Sequence, residues 1–283
     1  MIPPPVQSWF VQNNYGSVVS ARPVAGGCIN NGMILESASG KTLFLKTNHQ
    51  APADMFAREA DGLNALRTGD GPTVPRPLLW GSDFLLMEDL APSPRQSDYW
   101  MEFGSRMAAL HAHTSPQFGF AHNNYIGSTP QPNPWMDDGF AFFAEQRLGF
   151  QTQLAYDSEW IGIADKTRLE QLCARLPNLI PAQPASLLHG DLWSGNAMTD
   201  SRGASALIDP AAHYGWAEAE LAMTALFGAF PEAFYRAYEA ARALEAGYRS
   251  RFPLYNLYHL LNHVNLFGRS YLGQVQAILS HYD

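Results

Sequence analysis

Polar and apolar residues alternate through the first third of the chain and recur at three- and four-residue spacing through most of the rest. Residues 17–24, 33–37 and 42–47 alternate as strands do. The first connection is the glycine-rich run Ala25-Gly26-Gly27-Cys28-Ile29-Asn30-Asn31-Gly32, and the second is a turn at Ser39-Gly40. A short helix, capped by Ser8 and ending near Gly16, is expected before them. Over residues 54–68 the period changes: Phe56, Ala60, Leu63 and Leu66 form a helical stripe behind Asp54 as N-cap. Glu59 lies beside that stripe, where it can point inward. Residues 78–80 and 84–87 return to strand character. From Ser97 onward helices are expected, the first with Trp100, Phe103, Met107 and Leu110 on one face, then 140–154, 165–176, 218–229, 231–246 and 253–268. Residues 114–138 carry no such period and read as a long loop suited to covering a ligand site. Strands first and helices later, with one short strand pair inserted near residue 200, is the pattern of an α+β fold in two lobes, residues 1–88 and 89–283.

Composition narrows the classes. The 283 residues are 46% hydrophobic and 12% aromatic, enough for a real core, and the formal net charge is -8. An acidic chain lacks the clustered Lys and Arg on which nucleic-acid affinity depends, so no nucleic-acid partner is expected. The longest apolar runs are too short to span a bilayer, the start MIPPPVQSW has no basic segment before an apolar one, and the two cysteines fit no disulfide framework or zinc spacing. A soluble, cytoplasmic protein is the expectation. Cys173 falls on an apolar helical stripe and reads as core. Lysines occur only at 41, 46 and 166, so one on a strand asks for a reason.

The chemistry gathers in residues 187–210, LLHGDLWSGNAMTDSRGASALIDP. An apolar run delivers His189-Gly190-Asp191, Asn196 follows, and a polar hairpin leads to the strand 206–208 and Asp209. Two carboxylates and a carboxamide at strand ends suit phosphoryl transfer from a magnesium nucleotide. Asp191 orients the acceptor hydroxyl, while Asn196 and Asp209 are oxygen ligands for Mg²⁺. His189 reads as structural. Upstream, Gly26 and Gly27 let backbone amides approach a phosphate. Lys46 on its strand, paired to Glu59, would aim an ammonium at the nucleotide phosphates. The strand end Met87-Glu88-Asp89-Leu90 reads as an interlobe hinge whose backbone could meet an adenine edge. His259, Asn262, His263 and Asn265 crowd one helix; they are either a hydrogen-bonded internal network or, through His263, a substrate contact. A metallohydrolase using His189, Asp191, Asp209 and His213 is the competing reading from another class, and it leaves GGCINNG, Lys46 and Glu59 without a role.

These residues resemble the fructosamine (ketosamine) kinases, within the aminoglycoside phosphotransferase and choline kinase-like group of the protein kinase-like superfamily. HGDLWSGN followed by IDP carries the broader likeness. GGCINNG, FLKTN, MFAREADGL, DPAAHYGWAEAELAMTALFGAF and LYHLLNHVNLFGRSY carry the narrower one, across residues 26–271. The resemblance implies a bilobal fold with a small antiparallel N-lobe and a mostly helical C-lobe. It also implies ATP- and Mg²⁺-dependent phosphorylation of a ketosamine sugar at O3, whose labile ester then frees the amine. Carried over by position, Asp191 is the base, Asn196 and Asp209 are the Mg²⁺ ligands, and Lys46 with Glu59 meets the phosphates. Gly26, Gly27 and Cys28 form the nucleotide loop, Met87 to Leu90 the hinge, and Trp193 a wall of the sugar pocket. The alternative is a relative acting on aminoglycosides, choline or another amino alcohol. The glycine loop lacks the third glycine of many relatives, and Glu220 stands where some have Asp. Cys28, set among backbone amides, is either a redox switch able to link two chains in an otherwise monomeric protein or a small residue filling a turn.

Overall fold

The structure, a computed structural model, describes residues 2–24 and 30–282. Helix α1 (Pro4–Gln12) precedes five strands, β1 (Val18–Val24), β2 (Asn31–Ser37), β3 (Thr42–Thr47), β4 (Pro77–Trp80) and β5 (Phe84–Glu88), with α2 (Met55–Leu66) between β3 and β4. The strands form one antiparallel sheet in the order β1-β2-β3-β5-β4. α1 starts ahead of the expected Ser8 cap. Pro3 is the N-cap, and the prolines after it occupy first-turn positions, where a missing N–H removes no helical bond. Asp54 likewise makes no side-chain cap bond.

Strand alternation sorts the sheet's two faces. Leu43 and Leu45 of β3 join Phe84 and Leu86 of β5 against Val6 and Phe10 of α1. The intervening residues, Phe44 and Lys46 on β3 with Leu85 and Met87 on β5, face the other way, where Leu85 and Met87 pack in one core with Phe56, Ala60, Leu63 and Leu66 of α2. The period of two thus puts Lys46 on the α2 side.

Beyond the sheet come α3 (Tyr99–Ala112), the short strands β6 (Thr114–Ser115), β7 (Asn124–Ile126) and β8 (Thr129–Gln131), then α4 (Gly139–Phe142), a π-helix over Phe143–Gly149, α5 (Phe150–Asp157) and α6 (Ile163–Leu179). Four more strands follow, β9 (Ala185–Leu188), β10 (Ala197–Thr199), β11 (Ser205–Leu207) and β12 (His213–Gly215), and then α7 (Ala217–Leu226), α8 (Glu232–Ala241), α9 (Phe252–Phe267) and α10 (Leu272–Tyr282). β10 and β11 form the expected hairpin, and β9 is the centre of a sheet ordered β12-β9-β6. Two expectations change, and one element is additional. Residues 114–138 are not a bare loop: β7 and β8 pair there, and Phe118 exchanges backbone bonds with Met136. The helix expected over 140–154 is interrupted by the wide π-helical turns. α10 has an apolar stripe of Val275 and Leu279 that was not read from the sequence. No helix among the described residues is long and apolar enough to cross a membrane.

α3 and α8 cross closely because Gly104 has no side chain: a Cβ there would sit 2.1 Å from the Phe234 carbonyl oxygen and 3.1 Å from the Tyr238 nitrogen. Backbone cannot yield as a flexible side chain can. Gly104→Ala is therefore expected to destabilise the protein by about 2 kcal/mol, measured as a lower urea midpoint at unchanged slope.

Candidate functional site

The two halves of the molecule meet at Lys46. Its Nζ lies 2.5 Å from Glu59 Oε1 and also bonds the Asp209 carboxylate, with the lysine only 6% exposed. β3 supplies Lys46 and α2 supplies Glu59. Gly62, three residues on and so on the same helix face, lets α2 approach the chain after Asp209: a Cβ there would already touch Pro210 and Ala212 at 3.3 and 3.4 Å. Burial works against the lysine's charge, but the Asp209 and Glu59 carboxylates outweigh it and hold its pKa above the ordinary lysine range. Glu59 is pushed upward by burial, which the adjacent ammonium only partly offsets. The cation is the group that keeps Glu59, nearly buried, beside the partly exposed Asp209.

Asp209 follows the end of β11 and has φ 57, in the left-handed region that non-glycine residues rarely occupy. Such strain is found where the surroundings enforce it, commonly at functional sites. One enforcing contact is His189. Its Nε2–H donates to the Ile208 carbonyl at 2.8 Å, and its Nδ1 accepts from the Asp191 N–H at 3.3 Å. The ring is neutral, its pKa lowered by burial. It braces the loops carrying Asp191 and Asp209, as its structural reading expected.

Asp191 sits on a loop whose shape is set from within and from below. Asn196 donates through Nδ2 to the Asp191 carbonyl at 2.8 Å and to its carboxylate at 3.3 Å, which leaves the carboxamide oxygen of Asn196 as a free acceptor. Gly190 has φ 85, and a Cβ would come 2.1 Å from the Ala211 carbonyl oxygen, so only glycine fits. From below, Glu220 on α7 accepts from the His189 N–H at 2.6 Å and the Gly190 N–H at 2.7 Å. His111 stands behind it, 3.2 Å from Glu220 and 2.7 Å from the Tyr238 hydroxyl. Burial works against the Glu220 charge, yet these bonds hold it below the usual carboxylate range. Burial pushes Asp191 up to about 7, and the Asp209 and Glu220 charges push in the same direction.

Of the residues expected at the site, the structure brings together Lys46, Glu59, Asp191, Asn196 and Asp209. Trp193, 38% exposed, lies on the same loop with its indole across Gly195, where a Cβ would come within 2.3 Å of the ring. Met87 is buried at the end of β5. Glu88, the last residue of β5, pairs with Arg76, and just past the strand Asp89 accepts from the Ala91 N–H, with Leu90 between those two. His263 has other neighbours: its Nδ1 meets the His259 carbonyl at 2.8 Å, and its ring packs on Phe227, Phe267 and Tyr271. None of these belongs to the Asp191 loop. Asn262 and Asn265 both bond Gln151, as an internal network would. Gly26, Gly27 and Cys28 lie outside the described residues. His213 turns its Nδ1 to the Ala211 carbonyl at 3.1 Å, and among the described residues no three His, Cys, Asp or Glu side chains converge as a metal cluster.

Sequence reasoning missed His111 and the anchoring role of Glu220. His111 stands in the last turn of α3, where a histidine ordinarily satisfies helix-end carbonyls. Its ring instead reaches α7 and α8, over 100 residues away in the chain, which no local pattern encodes.

Comparison with known proteins places this geometry. Residues 7–282 match the fructosamine kinase family. A protein of Synechocystis sp. named as a probable ketoamine kinase is 44% identical over 263 residues, covering 91% of this chain and 88% of the relative. The chloroplastic protein-ribulosamine 3-kinase of Arabidopsis thaliana is 36% identical over 289 residues, covering 98% and 87%. A solved structure from Thermobifida fusca, assigned as a fructosamine-3-kinase, superposes with a TM-score of 0.88 at 32% identity, covering 97% of each chain. An aminoglycoside phosphotransferase solved with ADP and hygromycin B shares the fold alone, with a TM-score of 0.60 at 17% identity over 97% of this chain and 98% of that one. With the family matched along nearly its whole length and the protein kinase-like α+β architecture shared, the chain belongs to the fructosamine kinase family.

Proposed function

We propose that the protein transfers the γ-phosphoryl group of ATP to a sugar hydroxyl, O3, of a ketosamine, giving a labile ester whose breakdown frees the amine. The observation that carries this reading is Lys46, which joins the sheet's Glu59-bearing side to Asp209 within reach of the loop of Asp191. Lys46 holds the nucleotide phosphates, with Glu59 fixing its direction. Asp191 receives the hydrogen bond of the acceptor hydroxyl and takes its proton as the phosphoryl group arrives. Positioning and charge neutralisation do most of the work.

The donor set fits Mg²⁺. Asp209 offers hard carboxylate oxygen, and Asn196, its amide hydrogens committed to Asp191, offers its carboxamide oxygen. When bound there, the ion would neutralise charge on the phosphates. The exposed indole of Trp193 stands beside Asp191 as a surface on which a sugar face can stack. The neighbours of His263 give it no comparable place, so the sugar pocket is assigned to Trp193 and the Asp191 loop. The names of the two curated relatives support a ketosamine as acceptor.

The reading is tested by measuring ATP consumption over a panel of fructosamines and ribulosamines, free and protein-bound, beside aminoglycosides and choline. Turnover with the ketosamines is expected; turnover confined to the other acceptors would sink it. Asp191 must be ionised to accept a proton, so kcat/KM should rise with pH along a limb centred at about 7. Asp191→Asn should keep nucleotide binding and lose turnover by about 10²–10⁴-fold; a variant that retains turnover removes the base assignment. The same shift has a sign for stability. The folded state holds this proton above the ordinary aspartate pKa, so its contribution is full at low pH and is lost as pH rises through about 7. The Asn variant should therefore melt above wild type at pH 8, with the gap closing toward pH 5. Asp209→Asn should abolish Mg²⁺-dependent turnover while Lys46 still pairs with Glu59.

A further inference from the structure

One buried polar network is left unexplained by the steps above, and it ends on the backbone that joins the two acidic loops. Ala211 lies two residues past Asp209. Its N–H donates to the His189 carbonyl at 2.9 Å, and its carbonyl is the atom that excludes a side chain at Gly190. Any shift of Ala211 thus moves Asp209 relative to Asp191. The carbonyls of Ala211 and Ala212 are held in turn by two carboxamides from the segment 114–138. Gln131 Nε2 donates to the Ala211 carbonyl at 3.0 Å, and Asn124 Nδ2 donates to the Ala212 carbonyl at 2.8 Å.

The direction of the whole network follows from those two acceptors. A carbonyl cannot donate, so Gln131 and Asn124 must present their amino groups to it. Their oxygens then need donors. Asn124 Oδ1 accepts from Gln131 Nε2 at 2.7 Å and from Asn133 Nδ2 at 2.9 Å, and Gln131 Oε1 accepts from the Tyr258 hydroxyl at 2.6 Å. Asn133 Oδ1 accepts from Arg147 Nη2 at 2.6 Å. The bonds run toward Ala211 and Ala212 from two starts, the Arg147 cation and the Tyr258 hydroxyl, and Asn133 Nδ2 has one side branch to the His122 carbonyl at 3.2 Å. Arg147 is 1% exposed, is carried inward by the π-helix, and pairs with no carboxylate among the described residues; its other bonds are to the carbonyls of Pro132 and Gln146. Wide π-turns of this kind recur at functional sites. A buried guanidinium compensated only by neutral oxygens and by the ring faces of Phe142 and Tyr258, at 4.5 and 5.6 Å, is costly for a fold whose aim is stability alone. Here its charge polarises a chain of amides that ends at the joint of the site.

We infer that Gln131 and Asn124, driven by Arg147 through Asn133 and by Tyr258, are positioning residues that set the spacing of Asp191 and Asp209. The inference rests on the phosphotransferase reading of that pair. It gives the 114–138 segment a task other than covering ligand: it is a strap on the backbone after Asp209.

Gln131→Glu tests it with little change of shape. The carboxylate can still accept from Tyr258 but sets an acceptor against the oxygens of Ala211 and Asn124. Tyr258→Phe is the milder companion; it removes one donor and keeps both bonds that Gln131 Nε2 donates. ADP binding is measured by calorimetry with and without Mg²⁺, beside steady-state kinetics and melting. Gln131→Glu is expected to lose about tenfold of the Mg²⁺-dependent gain in ADP affinity and about tenfold in kcat, with metal-free ADP affinity and ketosamine KM nearly unchanged. Tyr258→Phe should show the same split at smaller size. Variants that melt lower yet keep wild-type kcat and Mg²⁺ dependence would make the network purely structural and overturn the inference. Should Gln131→Glu not fold, a Tyr258→Phe protein with unchanged Mg²⁺ dependence overturns it equally. Wild-type protein that gains no ADP affinity from Mg²⁺ and transfers no phosphate would instead overturn the phosphotransferase reading, and the inference with it.

Discussion

One ammonium group ties the sheet and α2 to the acidic loops across a core that the two halves share. Lys46 is nearly buried and in contact with both Glu59 and Asp209, and much of the surrounding structure exists to make that contact possible. The strand period turns Lys46 to the α2 face, Gly62 lets α2 close on Pro210, and the strained backbone at Asp209 brings its carboxylate up from the other side. Removing one partner of the nearly buried Lys46–Glu59 pair commonly costs about 3–5 kcal/mol, because the remaining charge loses its compensation, and the partly exposed Asp209 adds less. A contact with that cost couples the geometry of the sheet to that of the acidic loops.

The second constraint is the placement of Asp191 near two like charges. A site selected only for stability would not set a half-buried carboxylate between Asp209 and Glu220. The fold sustains it mainly through bonds to the backbone around the acid, with one long bond from Asn196 Nδ2 to the carboxylate at 3.3 Å. Glu220 takes the amides of His189 and Gly190, Asn196 takes the Asp191 carbonyl, and His189 spans to Ile208. The carboxyl is held in place while its proton stays easy to move near neutral pH. That combination suits a base that must collect a proton and pass it on.

Much of this was legible because it was local. The Lys46 strand, the helix of Glu59 and the order Asp191, Asn196, Asp209 all follow from period, spacing and residue chemistry within short windows. The supports were not. His111 meets Glu220 across 109 positions, and Tyr258 meets Gln131 across 127. A helix-end histidine and a tyrosine on an apolar stripe carry no local mark of those partners. The segment 114–138 misled for a related reason: its order comes from side-chain amides bonded to distant carbonyls, and such bonds leave no hydrophobic period. The π-helix interrupts the expected continuous helix, and Arg147 is buried within it; its wide turns leave no mark in the hydrophobic period.

The fate of the phosphoryl group defines the reaction most directly. Phosphorus-31 NMR of the protein with ATP, Mg²⁺ and a ¹³C-labelled ketosamine should show a monoester signal coupled to the sugar carbon at position 3, appearing at the rate at which ADP forms. ADP formation matched only by inorganic phosphate from the first time point, with no sugar ester, would contradict it.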